Sequence, residues 1–165
     1  MKTIGLLSDT HGYIHPRVFE FFKTCDEIWH AGDIGNAEAS DALSNFKPLR
    51  AVYGNIDGHV LRAMFPETIV FTIEKVKVVI THISGYPGKY AKGIPALLQL
   101  HRPQLFIGGH SHILKVIYDQ KNQLLYMNPG AAGKHGIHQK ITFLKFHITE
   151  DRIHDLEILE MERKM

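Results

Sequence analysis

The sequence predicts an α/β fold, a four-layer α/β/β/α sandwich in which two mixed β-sheets are flanked by helices. Two observations support this prediction. The first half of the chain alternates short β-rich apolar runs with helical segments, whereas the second half is rich in strand-like runs separated by turns. The length of 165 residues suits one domain with a sizeable core. We therefore expect a single domain over residues 1–165.

The first half of the chain has the βαβ pattern. Residues 4–7 form an apolar run that is typical of a strand buried on both faces. Pro16 suits the first turn of a helix, because proline lacks the N–H that a first turn leaves unpaired. The predicted elements are a strand over 4–7, a helix over 16–23, a strand over 27–30, a helix over 36–46 and a strand over 49–53.

The second half is predicted to contain one helix, and its remaining elements are strands. A Gly- and Pro-rich loop over 84–88 precedes the helix, and turns separate the strand-like runs that follow it. The predicted elements are strands over 67–73 and 75–80, a helix over 90–101, and strands over 104–107, 113–118, 124–127, 141–148 and 153–159.

Composition narrows the functional classes. The net charge is only +2 and no dense Lys/Arg run occurs, so a dedicated nucleic-acid surface is not expected. The single Cys25 excludes an intrachain disulfide, and a reducing cytoplasm is the expected location. No run approaches the roughly 18 apolar residues that span a bilayer, so no membrane association is expected.

Polar blocks follow five of the predicted strands. They read Asp9-Thr10-His11, Gly32-Asp33, Gly54-Asn55, Thr81-His82 and Gly109-His110-Ser111-His112. Each block alone is a weak signal, since Gly-Asp and Gly-Asn are common in turns. Together they collect seven side chains of the kind that bind Mn, Fe, Ni, Co or Zn, at the strand ends where α/β sheets place their ligand sites. Seven ligands are too many for one tetrahedral ion and suit two ions that share a carboxylate.

The order of these blocks resembles the motif order of the calcineurin-like metallophosphoesterases. It reads D-x-H, G-D, G-N-x-D, a strand-terminal His and G-H-x-H. The small size, G-N-x-D and Asn128-Pro129-Gly130 are similar to the compact single-domain phosphodiesterase branch, which also contains the retromer scaffold subunit. The resemblance implies two divalent metal ions, with manganese the first choice. It assigns Asp9, His11, Asp33 and His112 to the first ion and Asp33, Asn55, His82 and His110 to the second, with Asp33, Asn55 and His110 at the catalytic centre.

The implied activity is hydrolysis of a small or generic phosphodiester by a hydroxide held between the two metals. The chain departs from the family pattern at Ile56, where most members carry a histidine that protonates the leaving group or steadies the phosphate. His135 and His138 are candidate replacements, although a chain with 12 histidines is expected to have uncommitted ones. Asp57 is expected to orient the Asn55 loop, and His30 is a candidate for supporting the ligands.

Two alternatives stay open at this point. A non-catalytic metal-binding scaffold of the same fold would present a protein-interaction surface, but all seven ligand positions are metal-competent, which favours an enzyme. A phosphomonoesterase would need extra positive charge near the metals, and the candidates are Lys89, Lys92, Lys134 and Lys140. A homo-oligomer is compatible with the sequence.

Overall fold

The structure is a computed structural model that describes residues 1–163. The last two positions of the predicted domain, 164 and 165, lie outside the described residues. In chain order the elements are β1 (Lys2–Leu7), α1 (Arg17–Phe21), β2 (Glu27–His30), α2 (Ala37–Phe46), β3 (Leu49–Ala51), α3 (His59–Met64), β4 (Thr68–Ile73), β5 (Val76–Thr81), β6 (Gly85–Tyr86), β7 (Lys89–Tyr90), α4 (Ile94–His101), β8 (Leu105–Ile107), β9 (Leu114–Asp119), β10 (Leu124–Pro129), β11 (Lys140–Thr149) and β12 (Arg152–Glu162).

Two five-stranded mixed sheets form the centre of the fold, as predicted. The first sheet has the order β12-β11-β1-β2-β3, in which β1, β2 and β3 are parallel and β11 and β12 pair antiparallel. The second has the order β4-β5-β8-β10-β9, in which β5, β8 and β10 are parallel and the edge strands β4 and β9 are antiparallel. Each sheet therefore has a parallel part whose carboxyl ends share one edge.

Side-chain alternation along the strands divides the core into layers. In β1, Ile4 and Leu6 enter the cluster between the two sheets, whereas Leu7 faces the helices outside the first sheet. In β5, Ile80 belongs to the same inter-sheet cluster, while Val79 packs against α4 on the outer side of the second sheet. The central strands β1 and β5 are thus covered on both faces, which is why they read as continuous apolar runs.

The element boundaries differ from the predictions mainly next to short elements. The predicted strand over 49–53 ends at Ala51, because the Tyr53 N–H donates to the Pro66 carbonyl instead of to a neighbouring strand. The predicted helix over 90–101 begins only at Ile94, because Tyr90 pairs with Gly85 in the β6–β7 hairpin. The helix α3 was not predicted, since six residues are too few to show an apolar period.

The loops that follow the parallel strands carry the five polar blocks. Asp9 follows β1, Asp33 follows β2 and Asn55 follows β3, all in the first sheet. His82 follows β5, and the block from His110 follows β8 in the second sheet. The stacking of the two sheets therefore allows both sets of loops to meet at one end of the sandwich.

Among residues 1–163, no helix combines the length and the apolarity needed to cross a bilayer.

Packing between β1 and α1 leaves no room for a side chain at Gly5. A Cβ at this position would lie 2.7 Å from ring atoms of Phe22, which is fully buried. We expect Gly5→Ala to lower the free energy of unfolding by about 1–3 kcal/mol, because overpacking forces the core apart. In the Gly5→Ala/Phe22→Leu double variant the loss should be smaller than the sum of the single losses. Urea unfolding of the four proteins measures this coupling, and additive losses would contradict the packing described.

Candidate metal centre

The strand-end loops bring six of the seven predicted ligands into two groups. Asp9, His11 and His112 form one group, and Asp33, His82 and His110 form the other. Within each group the potential ligand atoms all lie within 4.8 Å of one another. The seventh predicted ligand, Asn55, lies beside the second group, where its Oδ1 is 3.0 Å from His110 Nδ1. The assignment of these residues to two metal ions stays a prediction.

Asp9 is fully buried, and its two carboxylate oxygens have different surroundings. Oδ2 accepts hydrogen bonds from the Ser8 hydroxyl at 2.6 Å and from the His110 N–H at 3.1 Å. Oδ1 has no hydrogen-bond partner and lies 3.3 Å from His112 Nε2 and 3.8 Å from His82 Nε2. The protein thus fixes one oxygen and leaves the other directed at the imidazoles.

Asp33 lies between the two groups. Its Oδ2 is 3.5 Å from His11 Nε2 in the first group and 3.1 Å from His82 Nε2 in the second, while Oδ1 accepts the Ile56 N–H at 3.0 Å. Burial acts to raise the pKa of Asp33, but the adjacent His11 and His82 imidazoles outweigh it and hold the pKa well below its usual range. A carboxylate facing both groups has the placement required of a bridging ligand.

The orientation of His82 is set by a backbone carbonyl. His82 Nδ1 is 2.7 Å from the Ala31 carbonyl, which only accepts hydrogen bonds, so Nδ1 carries a proton. The buried Nε2 has no hydrogen-bond partner and is directed at the Asp33 carboxylate. Burial acts to lower the pKa of His82, and the nearby Asp33 and Asp9 carboxylates raise it above its ordinary value. This corner of the site therefore attracts positive charge.

The β10–β11 loop covers the first group with two histidines. The His135 ring stacks on His11 with 4.9 Å between ring centroids. His138 Nδ1 lies 3.2 Å from His112 Nδ1, and its Nε2 is 2.7 Å from the Gly133 carbonyl. Burial lowers the pKa of His138, which favours the neutral ring. Both histidines that were considered as replacements for the missing proton donor therefore lie at the site.

The donor set fits divalent metal ions. Among residues 1–163, three buried side-chain atoms lack a hydrogen-bond partner, namely Asp9 Oδ1, His11 Nε2 and His82 Nε2, and all three are directed at the same small space. Their separations from facing acceptor atoms are 3.1–3.8 Å. Ligands about 2.0–2.2 Å from one cation are about 2.8–3.6 Å apart, depending on coordination geometry. A cation placed among these atoms would give each of them a partner.

Backbone strain is concentrated in the ligands. Five of the predicted ligands have non-glycine φ values between +48° and +72°, namely Asp9, His11, Asp33, His110 and His112. Left-handed backbone costs an L-residue on the order of 1 kcal/mol, and such residues cluster where function requires them. The loops that follow β1, β2 and β8 therefore have left-handed backbone at the ligand candidates themselves.

Buried polar side chains that are not ligand candidates hold the loops in place. Asp57 accepts the backbone N–H groups of Ile34, Gly35 and Gly54 at 2.8–3.1 Å, so it joins the Asp33 loop to the Asn55 loop. This confirms and extends the role predicted for Asp57.

His30 supports the first two loops. Its Nδ1 accepts the Gly32 N–H at 3.1 Å, so Nε2 carries the proton that is donated to the Thr10 hydroxyl, and that hydroxyl donates to the Ile34 carbonyl. Burial lowers the pKa of His30 to about 4, so the ring is neutral near pH 7. The supporting role suggested for His30 is thus visible as a chain of hydrogen bonds.

Asn128 has a larger role than the turn former that its sequence context indicated. Its Oδ1 accepts the Gly130 N–H, as expected for a turn. Its Nδ2 donates to the Gly109 carbonyl and to the Ser111 hydroxyl, both at 3.0 Å, and so holds the His110–His112 block. Sequence reasoning missed this link, because the contact spans 17–19 residues.

Gly54 provides space for the bridging candidate. A Cβ at this position would clash with the Asp33 carboxylate and with the Asp33 backbone N. The glycine of the Gly-Asn block therefore permits the close approach of two loops, in addition to any part it has in a turn.

Residues 1–151 match the family model of the calcineurin-like phosphoesterase superfamily domain. The chain belongs to this superfamily. It is 29% identical over 133 residues to a protein named as a probable metallophosphoesterase from Methanothermobacter thermautotrophicus, an alignment that covers 78% of this chain and 76% of that protein. A similarly named protein from Methanocaldococcus jannaschii is 30% identical over 137 residues, with coverage of 78% and 67%.

Solved structures share the fold at low sequence identity. Vps29 from Entamoeba histolytica superposes with a TM-score of 0.75 at 17% identity, and 97% of this chain and 98% of that chain are covered. A predicted phosphoesterase from Streptococcus pneumoniae gives a TM-score of 0.69 at 20% identity, with coverage of 98% and 90%. Family membership thus supports a metal-dependent phosphoesterase, and the fold alone is shared with Vps29.

The strained backbone at His112 predicts an unusual order of stability among variants. In the metal-free protein we expect His112→Gly to have a free energy of unfolding about 1 kcal/mol higher than His112→Ala, because glycine adopts φ +63° without strain. Both variants lack the imidazole, so their difference isolates the backbone.

The same pair of substitutions at His82, which is outside the positive-φ set, is the control. His82→Gly should have a lower free energy of unfolding than His82→Ala, because glycine there only adds flexibility to the unfolded chain. Urea unfolding checks both pairs, and the same order at the two positions would refute the assignment of strain.

Proposed function

We propose that the protein is a phosphodiesterase that works with two divalent cations, and that manganese is the expected metal, with nickel, iron, cobalt and zinc also suited to these ligands. In this proposal Asp9, His11, Asp33 and His112 hold the first cation, and Asp33, Asn55, His82 and His110 hold the second. Asp33, Asn55 and His110 line the catalytic centre. The observation that carries the proposal is the pair of adjoining ligand groups with Asp33 facing both.

Two cations held at these groups would activate water for attack on phosphorus and offset the charge of the phosphoryl oxygens. The chain's own residues provide the positioning. Asp57 fixes the separation of the Asp33 and Asn55 loops, and Ala31 holds His82 with Nε2 directed into the site. Because these groups are held by backbone hydrogen bonds, they need little reorganisation when a substrate arrives.

Two of the four lysines considered as extra positive charge for a monoester have other partners. A monoester dianion requires additional positive charge, yet Lys140 is paired with Glu160 and Glu162, and Lys134 lies 4.3 Å from the centre of the Tyr13 ring. These two lysines are therefore already engaged by other groups.

A cavity beside the first ligand group offers room for a second ester substituent. It has a volume of about 460 Å³, and His112 and His138 form part of its wall. The apolar residues Ile113, Leu114 and Ile137 also line it. Small-molecule sites are usually lined mainly by apolar groups, so this cavity suits an apolar or aromatic ester group.

The proposal is tested by hydrolysis of bis(4-nitrophenyl) phosphate and 4-nitrophenyl phosphate. The protein is first treated with chelator and then reloaded with Mn²⁺, Ni²⁺ or Mg²⁺. We expect diester turnover that requires a transition metal and that falls to the metal-free level in Asp33→Asn, because this variant loses the shared carboxylate. Asp41→Asn, an exposed position on α2, is the matched control.

The other outcomes of this assay identify the alternatives. Faster turnover of the monoester would replace the proposal with a phosphomonoesterase. Stoichiometric metal without turnover of either ester would favour a binding scaffold. Full diester turnover in excess chelator would refute the metal-dependent mechanism altogether.

A specific observation favours the scaffold as the second candidate. Four isoleucines next to ligand or loop histidine positions are exposed, Ile56 by 46%, Ile83 by 46%, Ile113 by 62% and Ile137 by 97%. Exposed apolar side chains gathered around a site can contact a substrate or a partner protein. The Vps29 structures show that this fold occurs in proteins outside the named phosphoesterases.

A reducing cytoplasm is the proposed location. Cys25 is buried, and burial raises its pKa to about 12, so the thiol is protonated and unreactive near neutral pH. The homo-oligomer stays a prediction.

The position of Ile56 predicts the leaving-group dependence. Its backbone N–H donates to Asp33 Oδ1 and its side chain is exposed beside the site, yet it provides no proton. His138 cannot substitute, because both of its ring nitrogens are engaged by other groups. We expect rates that fall steeply as the leaving-group pKa rises, so aryl diesters should react well and alkyl phosphates poorly.

Ile56→His should restore a proton donor. We expect at least about a tenfold gain in kcat/KM for alkyl leaving groups and little gain for 4-nitrophenolate, because a positioned general acid is worth up to about 10²–10⁴-fold when the leaving group is basic. Ile56→Gln is the control, since its amide does not transfer a proton. A flat dependence on leaving-group pKa in the wild type would contradict this account.

A further inference from the structure

Two histidines and a backbone carbonyl form a directed chain of hydrogen bonds that ends at the first ligand group. Gly133 O lies 2.7 Å from His138 Nε2, and His138 Nδ1 lies 3.2 Å from His112 Nδ1. The far nitrogen, His112 Nε2, lies 3.3 Å from Asp9 Oδ1. This series of contacts therefore connects the Gly133 carbonyl, through His138 and His112, with the Asp9 carboxylate.

The chemistry of the groups fixes where each proton lies. The Gly133 carbonyl only accepts, so His138 Nε2 must carry a proton. In the neutral ring His138 Nδ1 is then an acceptor, and the contact with His112 is a hydrogen bond only if His112 Nδ1 donates. A neutral His112 with its proton on Nδ1 has a lone pair on Nε2, directed at Asp9 Oδ1. Only this tautomer of His112 can bind a cation at Nε2.

The loop that carries His138 is attached to the same backbone that carries Asp9. The Ala132 N–H donates to the Ser8 carbonyl at 2.8 Å, and the Gly133 N–H donates to the Asp9 carbonyl at 3.1 Å. The carbonyl that orients His138 is thus tied to the Asp9 backbone. The position of His138 relative to Asp9 is thereby defined.

Gly136 packs directly on the two rings. A Cβ at this position would lie 2.5 Å from His112 Nδ1 and 3.1 Å from His138 Nδ1. The absence of a side chain lets the loop close over the pair, so the two imidazoles meet at hydrogen-bond distance.

We propose that His138 is a positioning residue that selects the metal-binding tautomer of His112 before any cation arrives. The proposal rests on the proposed function in one respect, that the first ligand group holds a metal ion. Without His138, a neutral His112 is free to carry its proton on Nε2 and donate it to Asp9. A cation then has to displace that proton and turn a ligand that the protein no longer holds.

The first readout is the tautomer itself, in metal-free protein. Long-range ¹H–¹⁵N NMR of histidine side chains distinguishes protonated from unprotonated ring nitrogens. In the wild type we expect the neutral ring of His112 to have a protonated Nδ1 and an unprotonated Nε2. In His138→Phe, which fills the space without an acceptor, the signals should shift toward the Nε2-protonated form.

The second readout is the affinity for Zn²⁺, measured by competition with a chromogenic chelator. Loss of a group that orients a metal-binding histidine typically lowers the metal affinity about 10–100-fold. In His138→Phe we expect a loss of this size for one bound Zn²⁺, whether the wild type binds one ion or two. His138→Asn should retain affinity within a few-fold of the wild type, because its Oδ1 can accept at the position of His138 Nδ1. His101→Ala, at the end of α4 outside the second sheet, is the matched histidine control.

Rescue by asparagine separates orientation from general damage to the loop, and both variants are first checked for wild-type thermal unfolding. If His138→Phe does not fold, His138→Gln takes its place beside His138→Asn. Glutamine keeps the donor to the Gly133 carbonyl but lacks the acceptor at the position of Nδ1, so His138→Gln should lose Zn²⁺ affinity and His138→Asn should retain it. An unchanged His112 tautomer together with Zn²⁺ affinity within about threefold of the wild type would overturn the proposal. If the wild type binds no metal, the proposed function fails, while the tautomer of His112 still confirms or refutes the selection by His138.

Discussion

The structure depends on the convergence of candidate metal ligands in one buried space. Within residues 1–163, the Oδ1 atom of Asp9 and the Nε2 atoms of His11 and His82 are buried without a hydrogen-bond partner. A buried polar atom without a partner typically costs about 1–3 kcal/mol. A cation placed among these atoms would offset that cost, which is why this arrangement indicates metal ions more strongly than the residue types alone.

Much of the fold near the site can be understood as support for that unfavourable arrangement. Asp57 and His30 hold the loops of the first sheet through backbone hydrogen bonds, and Asn128 holds the block from the second sheet. The ligand backbones are themselves strained, with positive φ at positions such as Asp9 and His112. Stability gained in the apolar layers therefore offsets the free-energy cost of the site.

The site is consistent with catalysis, but the same geometry serves a scaffold, because fold and metal binding alone do not fix function. What separates the two possibilities is the immediate environment of the ligands. Ile56 lies beside Asp33 with an exposed apolar side chain, and Ile113 and Ile137 line a cavity next to the first ligand group. In the proposed phosphodiesterase these features would suit a diester with a good leaving group, and in a scaffold the exposed isoleucines would suit contact with a partner.

The sequence by itself determined the layered α/β architecture, because strands buried on both faces show as apolar runs whatever their neighbours. It also determined the ligand candidates, since each polar block follows a strand end and residue types limit which metals can bind. The length of β3, the helix α3 and the β6–β7 hairpin were missed, because short elements are decided by tertiary hydrogen bonds.

Only the tertiary structure decided how the ligands are held. The contacts of Asn128 with Gly109 and Ser111, and of His138 with His112, join residues that are 17–26 positions apart. Local sequence patterns do not indicate such pairs, because each residue considered alone is an ordinary loop residue. The orientation of His82 likewise depends on the Ala31 carbonyl, which belongs to a loop of the other sheet, so it is set by packing and not by local sequence.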